Sequence, residues 1–168
     1  AVREAFEEEF TRNPSLVLLG EDVLGSKGGD SVLKDFREKF PGRVVNRLPL
    51  AEEMFVSIAL GMYKGGLRPV VQINHSGFVP LLLNDIYQLG IWRYRTGQTD
   101  GPAITIRVGH EGYGPHSGAE VSVSLLASLI HIPNLWVAVP STPYYAKGLL
   151  KTALRLNRPA IFFENEYL

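Results

Sequence analysis

The side chains here best suited to moving protons near neutral pH are a pair of adjacent acids, Glu52 and Glu53, and the histidines His75, His110, His116 and His131. A carboxyl group can share a proton with a weakly basic nitrogen, and an imidazole titrates close to operating pH and can donate or accept. Spacing alone also allows plainer roles. Glu52 and Glu53 open a helical run, where carboxylates are favoured by the helix dipole. His75, His110 and His116 lack a compact metal-ligand spacing, and the chain has no cysteine, so a zinc site is not supported. His131, at the end of an apolar run before Pro133, reads as a capping or core histidine. The glycine-rich Gly25–Asp30 has neither GxGxxG spacing nor a GKS/T ending, which excludes a dinucleotide or P-loop reading. Tyr87, Trp92 and Tyr94 beside Arg93 and Arg95 fall on several faces of one helix, which reads as solvated or subunit-facing and not as a nucleic-acid groove.

The elements that must position these groups follow from periodicity. An extended piece ends at Pro49-Leu50, and a helix starts at Ala51 with Phe55, Ile58, Ala59 and Met62 on one face, closing on Gly65-Gly66. Ahead of it, Val2 to Phe10 reads as a helix stopped by Asn13-Pro14, and Leu16–Leu19 as a strand covered on both faces. Ser31 caps a helix expected to run to Phe40, and Arg43–Asn46 is extended. Further on come a strand at Val70–Ile73 and a helix with Pro80 in its first turn and Leu83, Ile86, Gly90 and Tyr94 along one stripe. Ala103–Val108 is the next strand. A helix opened by Ser117 or Glu120 carries Leu125, Leu126, Leu129 and Ile130, and Leu135–Val139 is again a strand. Thr142 caps a last helix with Pro143 at its first position and Ala146, Leu149, Leu150, Ala153 and Leu154 inward; Ala160–Phe163 is the final strand.

Strand and helix alternate with short links, so the expected fold class is α/β, an open, mostly parallel sheet with helices on both faces. Such sheets bind ligands outside the carboxyl ends of their strands, where the loops 46–53, 74–80 and 109–117 carry most of the candidate residues. The length of 168 residues fits one domain. Lysine plus arginine equals aspartate plus glutamate, 17 each, so no strong field favours nucleic acid or an acidic membrane, and no apolar tract approaches a membrane span. Zero cysteines fit a reducing compartment, and a cytoplasmic location is the expectation.

The runs Pro49-Leu50-Ala51-Glu52, LRPVVQI from Leu67, YRTG from Tyr94, HSG from His116 and the Trp136–Leu150 segment occur in one order along the whole chain. Together they resemble the beta subunit of the E1 component of thiamine-diphosphate-dependent 2-oxoacid dehydrogenases, and more broadly the pyrimidine-binding domain of the transketolase superfamily. In that family a further C-terminal domain follows, whereas this sequence stops at Leu168.

The resemblance assigns roles. Glu52 matches the glutamate that hydrogen-bonds N1′ of the aminopyrimidine and promotes the imino tautomer that deprotonates the thiazolium C2; Glu53 is its solvated neighbour. Phe78 falls on the aromatic that stacks on the pyrimidine, a role needing a flat apolar face. Leu50 matches the aliphatic residue whose backbone carbonyl meets the cofactor amine, and Leu81 a cofactor-side position that is commonly polar. His116 resembles the histidine that assists the acyl intermediate and the incoming lipoyl arm, with Gly118 where the family has glutamine. The carbonyls of Ala153, Leu154, Leu156 and Arg158 match a segment surrounding a structural monovalent cation, implying potassium.

The implied cofactors are thiamine diphosphate and a magnesium ion held by a GDG-type motif on a partner chain, since no Gly-Asp-Gly triplet occurs here. The implied partners are an alpha-type E1 subunit, in a heterotetramer, and a lipoyl-bearing acyltransferase. The implied reaction is oxidative decarboxylation of a 2-oxoacid with acyl transfer to the lipoyl group. Two other readings stay open: a split transketolase-like or biosynthetic thiamine enzyme, and a degenerate, non-catalytic assembly subunit.

Overall fold

A computed structural model of the chain describes residues 1–25, 32–111, 118 and 123–165. Among them, six strands form one fully parallel sheet in the order β2-β1-β3-β4-β6-β5, with β1 Leu16–Gly20, β2 Val44–Val45, β3 Arg68–Ile73, β4 Thr105–Glu111, β5 Trp136–Ala138 and β6 Ala160–Asn165. Helices α1 Val2–Arg12, α2 Phe36–Lys39 and α7 Pro143–Arg155 belong to one face. Helices α3 Glu52–Lys64, α4 Leu83–Gly90 and α6 Leu126–Leu129 belong to the other; α5 Trp92–Thr96 follows α4. The expected class is therefore the observed one, and no helix among the described residues is long and apolar enough to cross a membrane.

Burial on both faces explains the unbroken apolar strands. Leu16, Leu18, Val70 and Phe162 point to the α1–α7 face, and Leu19, Val71, Ile73, Ile106, Val108 and Phe163 to the α3–α4 face. On the first face Phe6, Phe10, Phe36 and Phe40 pack edge to face or tilted, with centroids 4.8 to 6.1 Å apart. The Arg43 guanidinium lies 4.6 Å from the Phe10 centroid and donates to the carbonyls of Phe10 and Leu16, locking the start of β2 onto α1.

The Ser31–Phe40 helix shrinks to α2, with Ser31 outside the described residues. Arg3 accounts for the loss. Its guanidinium takes the Val32 carbonyl at 3.1 Å and both Asp35 oxygens at 2.7 and 2.8 Å, and Phe36 N donates to Leu33 O in a tighter turn. The helix expected from Pro80 is also divided. Pro80 lies within a 3-10 segment, Ser76–Leu82, and a break at Ile91 separates α4 from α5, leaving Tyr94 exposed. Gly90 packs so closely that an added Cβ would sit 2.5 Å from Ile132 Cγ2 and 2.6 Å from Pro133 O, which fixes the end of α4 against the Ile132-Pro133 turn. The helix expected from Ser117 or Glu120 is described only as α6, since Ser117 and Glu120 lie outside the described residues. Thr142 caps α7 as expected, accepting from Tyr145 N at 3.3 Å.

A charged seam joins α1 to α7. Lys147 reaches Glu4 at 3.0 Å and Glu8 at 2.8 Å, Lys151 pairs with Glu8, and Arg155 Nε donates to the buried Glu9 at 2.9 Å. The Lys147 and Lys151 ammonium groups hold the Glu8 carboxyl down at about 2, below its ordinary value of 4.5. That stabilisation is complete above the unfolded-chain value and disappears as pH falls from there through the folded value. Glu8→Gln should therefore lower the unfolding midpoint at neutral pH, with the offset shrinking below pH 4.5 and closing only at about pH 2 or lower, most visibly at low salt. Thermal melts across that range check this; an offset that does not change with pH would contradict it.

Candidate functional site

The chain reverses its direction across the sheet early. From β1 the chain goes outward to β2, then crosses back to β3 on the other side, so the crevice between the carboxyl ends of β1 and β3 is a topological switch point, where open α/β sheets take ligands. Gly20 ends β1 there. A Cβ on it would lie 2.8 Å from Gln72 O of β3, so only glycine permits this strand approach. Gly20→Ala is accordingly expected to cost about 1–3 kcal/mol; denaturant titration checks this, and an unchanged midpoint would count against the tight packing.

Three backbone segments converge on the crevice. Glu21 and Asp22 follow β1, Asn74 and His75 follow β3, and the loop 46–51 leads into α3. That loop is tied over the end of β1: Leu48 N donates to Gly20 O at 3.2 Å, and Asn46 Oδ1 accepts from Leu24 N at 3.2 Å. Two non-glycine residues near it have positive φ, Asp22 at 21° and Arg47 at 64°. Such backbone is uncommon outside glycine and concentrates at functional sites.

The loop delivers Glu52 as the first residue of α3, with 8% of its surface exposed, while Glu53 is exposed as expected. An acid at that position is favoured by the helix dipole, yet full solvation is denied to it. A second carboxyl group faces it electrostatically. Glu21 accepts from Asn74 Nδ2 at 3.4 Å, and its pKa is raised, first by burial and then by the negative charges of Glu52 and Asp22, against the lowering effect of the Asn74 contact. The Glu52 charge thus adds to burial in disfavouring ionisation of Glu21.

Glu21 was not legible as a site residue: in the sequence it is one acid after a strand, and only the strand order brings it to the crevice. The raised pKa has a sign. Between the unfolded value and the higher folded value the folded protein holds more protons, so stability falls as pH rises through that interval. Glu21→Gln keeps an acceptor for Asn74 and removes the charge. It should raise the unfolding midpoint at neutral pH and leave it unchanged below about pH 4, the reverse of the Glu8 pattern; melts at the two pH values distinguish the outcomes, and a midpoint lowered at neutral pH would contradict the assignment.

The other candidates divide. Phe78 is half-buried in the 3-10 segment after β3, which packs against α3, and its ring meets His75 edge-on at 5.9 Å. Leu81, in the same segment, is 53% exposed, and Leu50, two residues before α3, is 76% exposed. Glu52, Leu50, Phe78 and Leu81 thus sit on two neighbouring segments at the carboxyl edge. His110 lies in the last part of β4, and His116 lies outside the described residues. His131 is exposed, which corrects its reading as a core histidine; the chain there has already left α6. No cluster of three metal-ligating side chains occurs among the described residues. A cavity of about 490 Å³ between α3 and the α4–α5 pair, lined by Val56, Ser57, Leu60, Leu89 and Trp92, includes none of the candidate site residues.

At the opposite edge of the sheet lie the four carbonyls matched to a cation site. Leu154 and Leu156 accept from Arg68 at 3.1 and 2.6 Å, and Ala153 accepts from Thr105 Oγ1 at 3.2 Å. Beside the crevice, on the α1–α7 face, Arg107 of β4 is buried between Gln72 and Glu164, donating to both, with Nε 2.8 Å from Glu164. Neither arginine stood out in the sequence: Arg107 reads there as an ordinary strand residue, and Arg68 as part of the link ahead of the Val70–Ile73 strand.

Residues 1–168 match the sequence family described as "Transketolase, pyrimidine binding domain". Over its whole length the chain is 40% identical to the pyruvate dehydrogenase E1 component subunit beta of Chaetosphaeridium globosum, covering 52% of that protein. It is 35% identical over its whole length to the acetoin:2,6-dichlorophenolindophenol oxidoreductase subunit beta of Cupriavidus necator, again covering 52%. The chain thus spans about half the length of the curated relatives it matches. Among solved structures it resembles a split-gene transketolase described as an inactive beta4 tetramer, with TM-score 0.67 and 23% identity over 96% of this chain and 48% of that one, a likeness of fold.

Proposed function

This chain belongs to the transketolase pyrimidine-binding-domain family, and from that premise we propose that it is part of a beta-type E1 subunit of a thiamine-diphosphate-dependent 2-oxoacid dehydrogenase. The observation that carries the reading is Glu52: a buried carboxyl group at the sheet's switch point, in the position where the family resemblance requires an acid. The residues present fit the pyrimidine end of that cofactor. They offer a proton-sharing acid, a half-buried aromatic ring on the adjoining segment, and exposed leucines on the approach.

When bound, thiamine diphosphate supplies an electron sink for the carbanion left by decarboxylation. Glu52 would share a proton with a ring nitrogen of the pyrimidine, its carboxylate held at the start of α3. Glu21 retains its proton to higher pH than an ordinary carboxyl, which limits the negative charge beside Glu52. Phe78 would offer a flat face for the ring and Leu50 its backbone carbonyl, and the exposed Leu50 and Leu81 side chains would supply apolar surface beside it. His116 serves the acyl-transfer side of the reaction.

The partners that complete the reading are an alpha-type subunit carrying magnesium and the diphosphate, and a lipoyl-bearing acyltransferase; a cytoplasmic location goes with it. The test is co-expression with an alpha-type chain, then assay of carbon dioxide release from pyruvate and branched-chain 2-oxoacids, with and without a lipoyl acceptor. Release that depends on both chains, with acyl transfer to the lipoyl group, is expected. Turnover of ketose phosphates instead would move the chain to the transketolase-like alternative. No thiamine-dependent turnover of either kind would leave an assembly role.

A further inference from the structure

We infer that the guanidinium of Arg68 takes the place of a monovalent cation in the turn joining α7 to β6, so that this fold closes that turn without potassium. Arg68 opens β3 at the amino edge of the sheet. Its Nη2 donates to the carbonyls of Leu154 at 3.1 Å and Leu156 at 2.6 Å, and its Nη1 to Asn157 Oδ1 at 2.9 Å. Two further oxygens of this segment are engaged as well. Ala153 O accepts from Thr105 Oγ1 at 3.2 Å, and Asn157 O from Gly101 N at 3.0 Å.

The last carbonyls of a helix have no partner within the helix and carry the negative end of its dipole, so the end of α7 calls for a positive group. A bare cation held by carbonyls is one solution, and a planar fork of fixed donors is another. Here the fork is already in the carbonyl nest. A potassium ion sharing Leu154 O and Leu156 O would sit within a few ångströms of a unit positive charge, and like charges at that range repel strongly. The turn itself, Leu156-Asn157-Arg158, contains no acid to offset a second cation. Arg68 also joins elements far apart in sequence, β3 and the α7–β6 turn, and so does the mechanical work of an ion in holding them.

The test reads stability and does not depend on cofactor binding, so its outcome is separate from that of the functional reading. The purified protein is melted in potassium chloride and in choline chloride at equal ionic strength. The native midpoint is expected to be the same in both salts, and Arg68→Met is expected to lower it by about 5 °C or more in choline. A native midpoint that climbs saturably with potassium would overturn the inference, as would an Arg68→Met protein as stable as the native one in choline. Should Arg68→Met fail to fold, Arg68→Lys keeps the charge and loses the fork. A lowered midpoint for that variant supports the inference, and a native-like midpoint overturns it.

Discussion

Glu52→Gln is expected to lower 2-oxoacid turnover by the assembled enzyme by about 10²–10⁴-fold, the range typical of losing a positioned acid–base group. The unfolding midpoint should be unchanged or slightly higher. Glutamine matches the shape of glutamate and can still hydrogen-bond a ring nitrogen, but it cannot share a proton with it. It also removes one of the negative charges that raise the pKa of Glu21, which is why stability should not suffer. The two readouts together separate chemistry from folding. A collapse of the midpoint would make Glu52 a helix-terminus residue and nothing more, and an unchanged rate with a native-like midpoint would give it no catalytic part. Glu53→Gln provides the control, since that side chain is exposed on the neighbouring position and should affect neither readout.

The largest expected effect on stability lies at Arg107. Its side chain is 8% exposed and that of Glu164 21%, and the guanidinium donates to Glu164 and Gln72 across β3, β4 and β6. Arg107→Met leaves a mostly buried carboxylate and a buried amide oxygen without that donor, a change expected to cost about 3 kcal/mol or more. In a domain of this size that corresponds to a fall of about 6–12 °C in the unfolding midpoint. Pairing it with Glu164→Gln in a double-mutant cycle should recover a substantial part of the loss, because the uncompensated charge is then gone. Strict additivity of the two changes would show that the pair is not coupled. The network lies next to Gln72, whose backbone oxygen crowds Gly20, so loosening it should also disturb the crevice floor.

The parts that were readable in the sequence are those written in local periodicity. The stripe on α3, the cap on α7 and the apolar strands required no tertiary knowledge, and alternation then dictated a parallel sheet. The placement of Glu52 followed from the helix start. Glu21 escaped because its importance comes from strand order: β1 and β3 are neighbours with β2 outside them, and nothing in the run LVLLGED states that. Arg68 and Arg107 escaped for a related reason. An arginine in a strand or just ahead of one reads as a break in burial until the oxygens that receive it are known, and those come from residues far away in the chain. The shortened α2 shows the opposite failure. Ser31 and the Val32, Phe36 and Phe40 spacing spelled out a helix, but Arg3 from α1 claimed the Val32 carbonyl and the Asp35 carboxylate.

Whether the Glu52 carboxyl meets the pyrimidine ring is open to direct observation by nitrogen-15 NMR. Thiamine diphosphate labelled at N1′ would be bound with magnesium to this chain assembled with its alpha-type partner. With native protein the N1′ resonance should move toward its protonated position, and with Glu52→Gln it should return to that of the neutral ring. The same resonance in both proteins would contradict the assignment of Glu52.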